Sequence, residues 1–230
     1  MRPCVTPYLG YVDAAADDLG SPGGTGAGAA GSGGAPGLLL RPVRGRPFRF
    51  DPGALCLELL PTGGSERYPR FESLGEPADL RRWATESRLG PGLEVAVGER
   101  DVAAAHTLRA ALWSLAEARA QDAAAALDPE PLAVVNAAAA APPLAARLLP
   151  DGTRAWSQGA TGDQLLSTVA RDAIDLFIGP YAERIRVCGA HDCLLLFVDT
   201  SRAGRRRWCA MERCGNRNKV RSHRARGAQG

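Results

Sequence analysis

No run of apolar residues in this chain approaches the roughly 20 that a membrane-crossing helix needs. The longest Ala-rich stretch, LAVVNAAAAAPPLAARLL, is broken by Asn136, Pro142, Pro143 and Arg147. The opening MRPCVTPYLGYVDAAADD has no continuous apolar core and turns acidic at once, so it does not read as a secretory signal. A cytoplasmic protein with no membrane partner is expected. Histidine is scarce too: His106, His191 and His223 are the three imidazoles. Two of them fall in the C-terminal region that holds four of the cysteines and the third on a predicted helix, which argues against an enzyme. Six cysteines in such a chain point to metal binding or free thiols rather than a disulfide framework.

Acids are nearly missing from one end. Between Arg202 and Arg226 a single acid, Glu212, stands among ten Lys or Arg residues, a local charge of +9. The whole chain carries +3, so the remainder is at −6. A mildly acidic body with a strongly basic end points to a polyanion held at the C-terminus. The 230 residues suffice for one medium domain and an appendage.

Residues 20–37, GSPGGTGAGAAGSGGAPG, are half glycine and bury too little apolar surface to offset their ordering entropy. The GAGAAG inside them fits a dinucleotide-binding pattern, yet no strand precedes it and no helix follows, so it reads as linker. Order is expected from RPFRFDPGALCLELLP, a strand or strand–helix junction. EPADLRRWATESRLG predicts a helix with Leu80, Trp83, Ala84 and Ser87 on one face, ended by Gly90 and Pro91. A longer one follows from about Glu99 to Ala123, with Val102, Ala105, Leu108, Leu112, Leu115 and Ala116 in a stripe. A third opens at Asp-Pro-Glu-Pro and stops at Pro142. The Pro150-Asp151-Gly152 turn predicts a hairpin. A last body helix, capped by Thr161 or Asp163, lines up Leu165, Leu166, Val169, Ala170, Ala173, Ile174 and Phe177, and Gly179-Pro180 ends it. The fold class is therefore α+β, a mostly helical body with a few short strands.

Cys188, Cys193, Cys209 and Cys214 follow the spacing C-x4-C-x15-C-x4-C. Two tight pairs across a hairpin-sized gap suit one tetrahedral zinc ion, each pair supplying two corners. Four thiolates leave no open position, so the zinc is expected to be structural. The bland alternative is four buried free thiols; His191, inside the first pair, is an alternative ligand. LLLFVDTSRAGRRRW between the pairs predicts two strand-like runs about a turn, and a helix is expected after Cys214, giving a treble-clef-like finger. About forty residues hold too small an apolar core, so the metal is needed for folding. Cys4 and Cys56 read as plain thiols. Arg217, Arg221 and Arg224 recur at helical spacing beside Lys219, His223 and Arg226, and Arg205, Arg206 and Arg207 add charge at the hairpin's end. Such side chains neutralise phosphates and read guanine edges. Arg207 and Arg217 are also placed to balance a tetrathiolate.

CGAHDCLLLFVDTSRAGRRRWCAMERCGNRNKVRSHRAR closely resembles the CGNR zinc finger, whose signature stands here as Cys214, Gly215, Asn216 and Arg217. In that family the finger follows an ABATE domain, described as a proposed stress-induced transcription regulator or ligand-sensing module. LCLELLPT from Leu55, LRAAL from Leu108, LAVVNAAAAAPP and RLLPDG resemble successive parts of that domain. Glu58 and Pro61 depart from it, standing where the family has Asp and Asn. The glycine-rich composition predicts a disordered tail over 1–46, and the resemblance implies an ABATE-like helical sensor over 47–184 and a CGNR-type finger over 185–226, leaving a short tail over 227–230. The implied function is a DNA-binding transcription regulator whose body senses a small-molecule effector. An RNA-binding or ribosome-associated zinc protein is the alternative, with Trp208 as the one stacking surface in the finger. The oligomeric state leaves no signal in the sequence.

Overall fold

The computed structural model describes residues 37–42, 46–63, 72–124 and 126–227, with side chains as far as Arg221. Residues 20–36 of the Gly-rich linker, Cys4 and residues 228–230 lie outside the described residues.

Three helices form the centre of the body. Helix α3 (Glu99–Gln121) packs on α4 (Pro129–Ala139) and α5 (Gly162–Ile178). The predicted stripe of α3 is buried along its length, from Val102 to Ala116, as is that of α5 apart from half-buried Ile174. Each Leu or Val so buried contributes about 1.5–3 kcal/mol, which is what holds these helices in place. Their starts follow from short polar side chains. Thr161 Oγ1 accepts from Gln164 N and Gln164 Oε1 accepts from Thr161 N, a reciprocal cap on α5. Asp128 caps α4 and Pro129 opens its first turn. The starts of α3 and α5 are tied together by a parallel pair, β3 (Val95–Ala96) with β6 (Ala160–Thr161). The Pro-Asp-Gly hairpin forms as β4 (Ala146–Leu148) and β5 (Arg154–Trp156), with Gly152 at φ +80°.

Helix α1 (Leu55–Leu59), continued by a 3-10 turn over Leu60–Thr62, is buried on every side and packs on α5. Its Cys56 N–H donates to Asp172 Oδ2 at 2.8 Å, and burial pushes the Cys56 thiol well above its ordinary pKa. Helix α2 (Pro77–Glu86) buries Leu80, Trp83 and Ala84. It stops before the expected Gly90-Pro91 signal. The cause is tertiary: the Glu58 carboxylate takes the Arg88 N–H at 2.8 Å and its Nε at 3.0 Å, turning the chain out of the helix. Glu58, one of the departures from the family segment, is thus a fully buried partner of Arg88. Among the described residues no helix is long and apolar enough to cross a membrane.

Order begins earlier than composition predicts. Strand β1 (Leu38–Leu40), inside the stretch read as tail, pairs antiparallel with β2 (Phe48–Phe50). Leu38 is buried in the main core, and Arg49 Nη1 reaches back to the Gly37 carbonyl at 2.8 Å. Gly37 has φ +104°, and a Cβ there would stand 2.5 Å from the Phe50 carbonyl oxygen. Gly37→Ala is therefore expected to cost about 1–3 kcal/mol, read as a lower denaturation midpoint. Removing residues 1–36 alone is expected to leave that midpoint unchanged.

Candidate metal centre and nucleic-acid interface

The finger starts from an antiparallel pair, β7 (Ile185–Val187) and β8 (Leu196–Val198). This corrects the sequence expectation of a hairpin between the two cysteine pairs. The hairpin instead encloses the first pair: Cys188 leaves β7, Cys193 precedes β8, and Cys188 N donates to Leu195 O at 2.9 Å. The run 202–208 makes no strand, because Asp199 gathers it into a loop. Its carboxylate accepts from Ser201 N, Ser201 Oγ and Arg206 N. Burial raises the Asp199 pKa but these hydrogen bonds outweigh it, and the group is held below its ordinary value.

The second cysteine pair lies beyond this loop. Cys214 sits in a single wide π-type turn over Met211–Gly215 that leads into α6 (Asn216–Gly227). The helix expected after Cys214 is present. All four sulfurs lie within 4.8 Å of one another, with Cys193–Cys209 at 3.8 Å and Cys209–Cys214 at 3.5 Å. A zinc–sulfur bond of about 2.3 Å gives a tetrahedral edge of about 3.8 Å, so the cluster has the size that one zinc ion requires. Cys188, Cys209 and Cys214 are buried and Cys193 is half-buried. The Cys209 N–H points at Cys188 Sγ at 3.4 Å, and Arg217 Nη2 at Cys214 Sγ at the same distance.

Thiols this close compete for protons. Hydrogen bonds from Cys193 and Cys209 pull Cys188 down to about 2, while Cys193 is pushed up to about 12 and Cys209 is also raised. A divalent cation at the centre of the cluster removes this competition, because metal ligation favours the thiolate at each sulfur. His191 does not join them. Its exposed ring takes Arg221 Nη1 at 2.8 Å and lies 3.4 Å from Asp192. His106 is likewise engaged in packing, with Nε2 2.8 Å from the Leu74 carbonyl.

The finger's apolar core is completed from outside it. Phe48 and Phe50 of β2 cluster with Phe197, Cys188, Cys209 and Cys214. Val198 N donates to Pro52 O at 2.8 Å, stitching the segment after β2 onto β8. The alternation in Phe48-Arg49-Phe50 marks a strand with one apolar face, but no spacing in the sequence links it to residue 197.

The arginines divide into two groups. Arg206 is turned inward: its guanidinium donates to the carbonyls of Asp51, Trp208 and Cys209 and stacks 4.3 Å over the Phe197 ring. That geometry removes Arg206 from the candidate nucleic-acid contacts. Arg217 pairs with Asp192 at 3.0 and 3.2 Å besides meeting Cys214, and the sulfur contact raises its pKa. Arg205, Arg207, Lys219 and Arg221 are exposed, and Arg207 stacks 5.1 Å from the Trp208 ring rather than on a sulfur. The side chains of His223, Arg224 and Arg226 lie outside the described residues, although α6 carries their backbone.

Two family models match the chain. Residues 53–180 match ABATE, described as "Putative stress-induced transcription regulator", and this is more than half of the sequence. The chain belongs to the ABATE family. Residues 184–227 match the CGNR zinc finger, so the ABATE body is followed directly by a finger whose four cysteines are close enough to bind one structural zinc. No curated protein matches the chain. Two ABATE positions that depart from the resembled segment now have places: Glu58 holds Arg88, and Pro61 lines a cavity between body and finger.

Proposed function

We propose that this ABATE protein is a transcription regulator that grips duplex DNA with its zinc finger and senses a small ligand with its helical body. In this reading Cys188, Cys193, Cys209 and Cys214 hold a zinc ion that fixes α6 against the hairpin, and chemistry at the metal plays no part. The observation that carries the reading is the distribution of cations. A zinc tetrathiolate has a formal charge of −2, and Arg217 and Arg206 are the arginines turned toward it and the carbonyls around it. Arg205, Arg207, Lys219 and Arg221 remain exposed on the same finger, a surplus that the site does not use. Phosphates would take it up.

If Arg205, Arg207, Arg221, Arg224 and Arg226 each neutralise one phosphate, the slope of log K against log salt is about −4 to −5. Arg207→Ala is expected to flatten it by about one and to weaken all duplex sequences alike. Lys219 and His223 lie on the neighbouring strip of α6, and their replacement is expected to change preference between sites. Titrations at several salt concentrations, on duplex DNA and on RNA, test this. Tighter binding to RNA would favour a ribosome-associated or RNA-binding role; a salt-independent affinity, or no binding to either polymer, would remove the nucleic-acid reading.

A further inference from the structure

A cavity of 250 Å³ opens where the helical body meets the finger. Phe48, Leu60, Pro61, Trp113 and Leu195 give it apolar walls, and Cys193 of the metal cluster also borders it. The Trp113 indole N–H is already donated to the Leu60 carbonyl at 3.3 Å. The ring thus offers a face without a free donor. Such walls favour an apolar occupant, and the volume lies below the roughly 300–1,000 Å³ of pockets for drug-sized molecules, which fits a ligand of about ten heavy atoms.

Polar groups at this cavity are mostly of one sign. Arg41, Arg213 and Arg217 border it with a single acid, Asp192. Asp192 is already neutralised by the two hydrogen bonds from Arg217. Arg213 is different: its guanidinium lies 4.5 Å over the Phe48 ring, and among the described residues no acid pairs with it. A half-buried guanidinium held against an aromatic wall is a ready partner for a carboxylate, whose charge-assisted hydrogen bonds strengthen as water is excluded. Arg41, the other cation at the rim besides the paired Arg217, is exposed to water, so the charge held against the apolar walls is that of Arg213, which suits a monoanion.

We propose that this cavity binds a small apolar carboxylic acid, its carboxylate on Arg213 and its hydrocarbon body between Trp113, Leu60 and Pro61. The inference rests on the reading of the body as a ligand sensor and supplies the site and the ligand class. Placement gives it a route to the finger. Arg213 stands in the wide turn that carries Cys214, and Arg217 follows it four residues on in α6. A bound acid therefore touches the 3-10 turn after α1 and helix α3 on one side and the base of the nucleic-acid helix on the other.

The test uses the zinc-loaded full-length protein without DNA, titrated by calorimetry and by tryptophan fluorescence. The probes are benzoate, phenylacetate and cyclohexanecarboxylate, with benzamide and acetate as controls. At least one apolar acid is expected to bind saturably, benzamide at least about tenfold more weakly than benzoate, and acetate not detectably. Arg213→Gln is expected to abolish the preference for benzoate over benzamide, and Pro61→Trp to block all binding by filling the cavity, with zinc content unchanged in both. Trp113→Phe is expected to remove most of the fluorescence change. Equal binding of benzoate and benzamide, binding that survives Pro61→Trp, or no binding by any of the three acids would overturn the proposal. Because no DNA is present, acid binding here would stand even if duplex binding failed, and the reverse holds as well.

Discussion

The Cys214→Ser protein is expected to purify without zinc and with its finger unfolded. A structural zinc site of this kind contributes on the order of 10–16 kcal/mol of apparent binding free energy, which is folding free energy for the segment around it. The finger has little else. Ile185, Leu196 and Val198 of its hairpin pack into the body's core, so around the metal the finger buries only Phe197, the cysteines themselves and two phenylalanines taken from β2. Loss of the metal should therefore reach back to Phe48 and Phe50 of β2, while the α3–α4–α5 core, into which Leu38, Ile185, Leu196 and Val198 also pack, stays folded. Metal analysis and amide hydrogen exchange read the two effects: zinc falling from one per chain to near zero, and protection lost at 188–193, 209–215 and 48–50 but kept at 102–116. Cys56→Ser is the control, since Cys56 lies in the body core beside Asp172 and should leave zinc content unchanged. Acid should mimic the mutation, because protons compete with metal for the thiolates and affinity falls as pH falls. Full zinc retention by the Cys214 variant would exclude this ligand set.

Arg88→Ala is expected to destabilise the body by about 3–5 kcal/mol at neutral pH. Glu58 has no exposed surface, and Arg88 is its charged partner through Nε at 3.0 Å, with Asp51 sharing the guanidinium at 2.9 Å. Removing the arginine leaves a buried carboxylate with one backbone hydrogen bond, and no water can replace the lost charge. The pH dependence follows from the sign of the shift. Burial already raises the Glu58 pKa above its ordinary value, although Arg88 pulls it back. The native state thus holds its proton to higher pH than the unfolded chain does, and this group's contribution falls as pH rises through that interval. Without Arg88 the interval extends upward. The variant should lie closest to the parent in acid and fall progressively behind as pH rises, in denaturant titrations run from about pH 4.3, the unfolded glutamate value, to pH 8. Adding Glu58→Gln should recover part of the loss and flatten the pH profile. A deficit independent of pH would show that Arg88 acts through packing instead.

Local patterns in the sequence were sufficient for the helices and for the cysteine cluster. Val102 to Ala116 and Leu165 to Phe177 repeat at the helical period, and Thr161, Asp128 and the Pro-Asp-Gly turn act within a few residues of where they stand. The four cysteines were legible because a tetrahedral ion demands two close pairs, and their spacing along the chain carries that demand. What the sequence left open depends on partners far apart in it. Helix α2 ends early because Glu58, 30 residues upstream, captures the Arg88 N–H. Arg206 looks like one more phosphate contact until Asp51, 155 residues away, is seen to accept from it. The strand β1 emerges from a glycine-rich stretch because β2 is there to pair with it, and β8 pairs with β7 rather than with the basic run because Asp199 ties that run into a loop. The cavity at Arg213 exists only where body and finger meet. Periodicity and ligand spacing are local properties that a sequence carries by itself, whereas the pairing of buried charges, strand edges and facing surfaces is decided when the chain closes on itself.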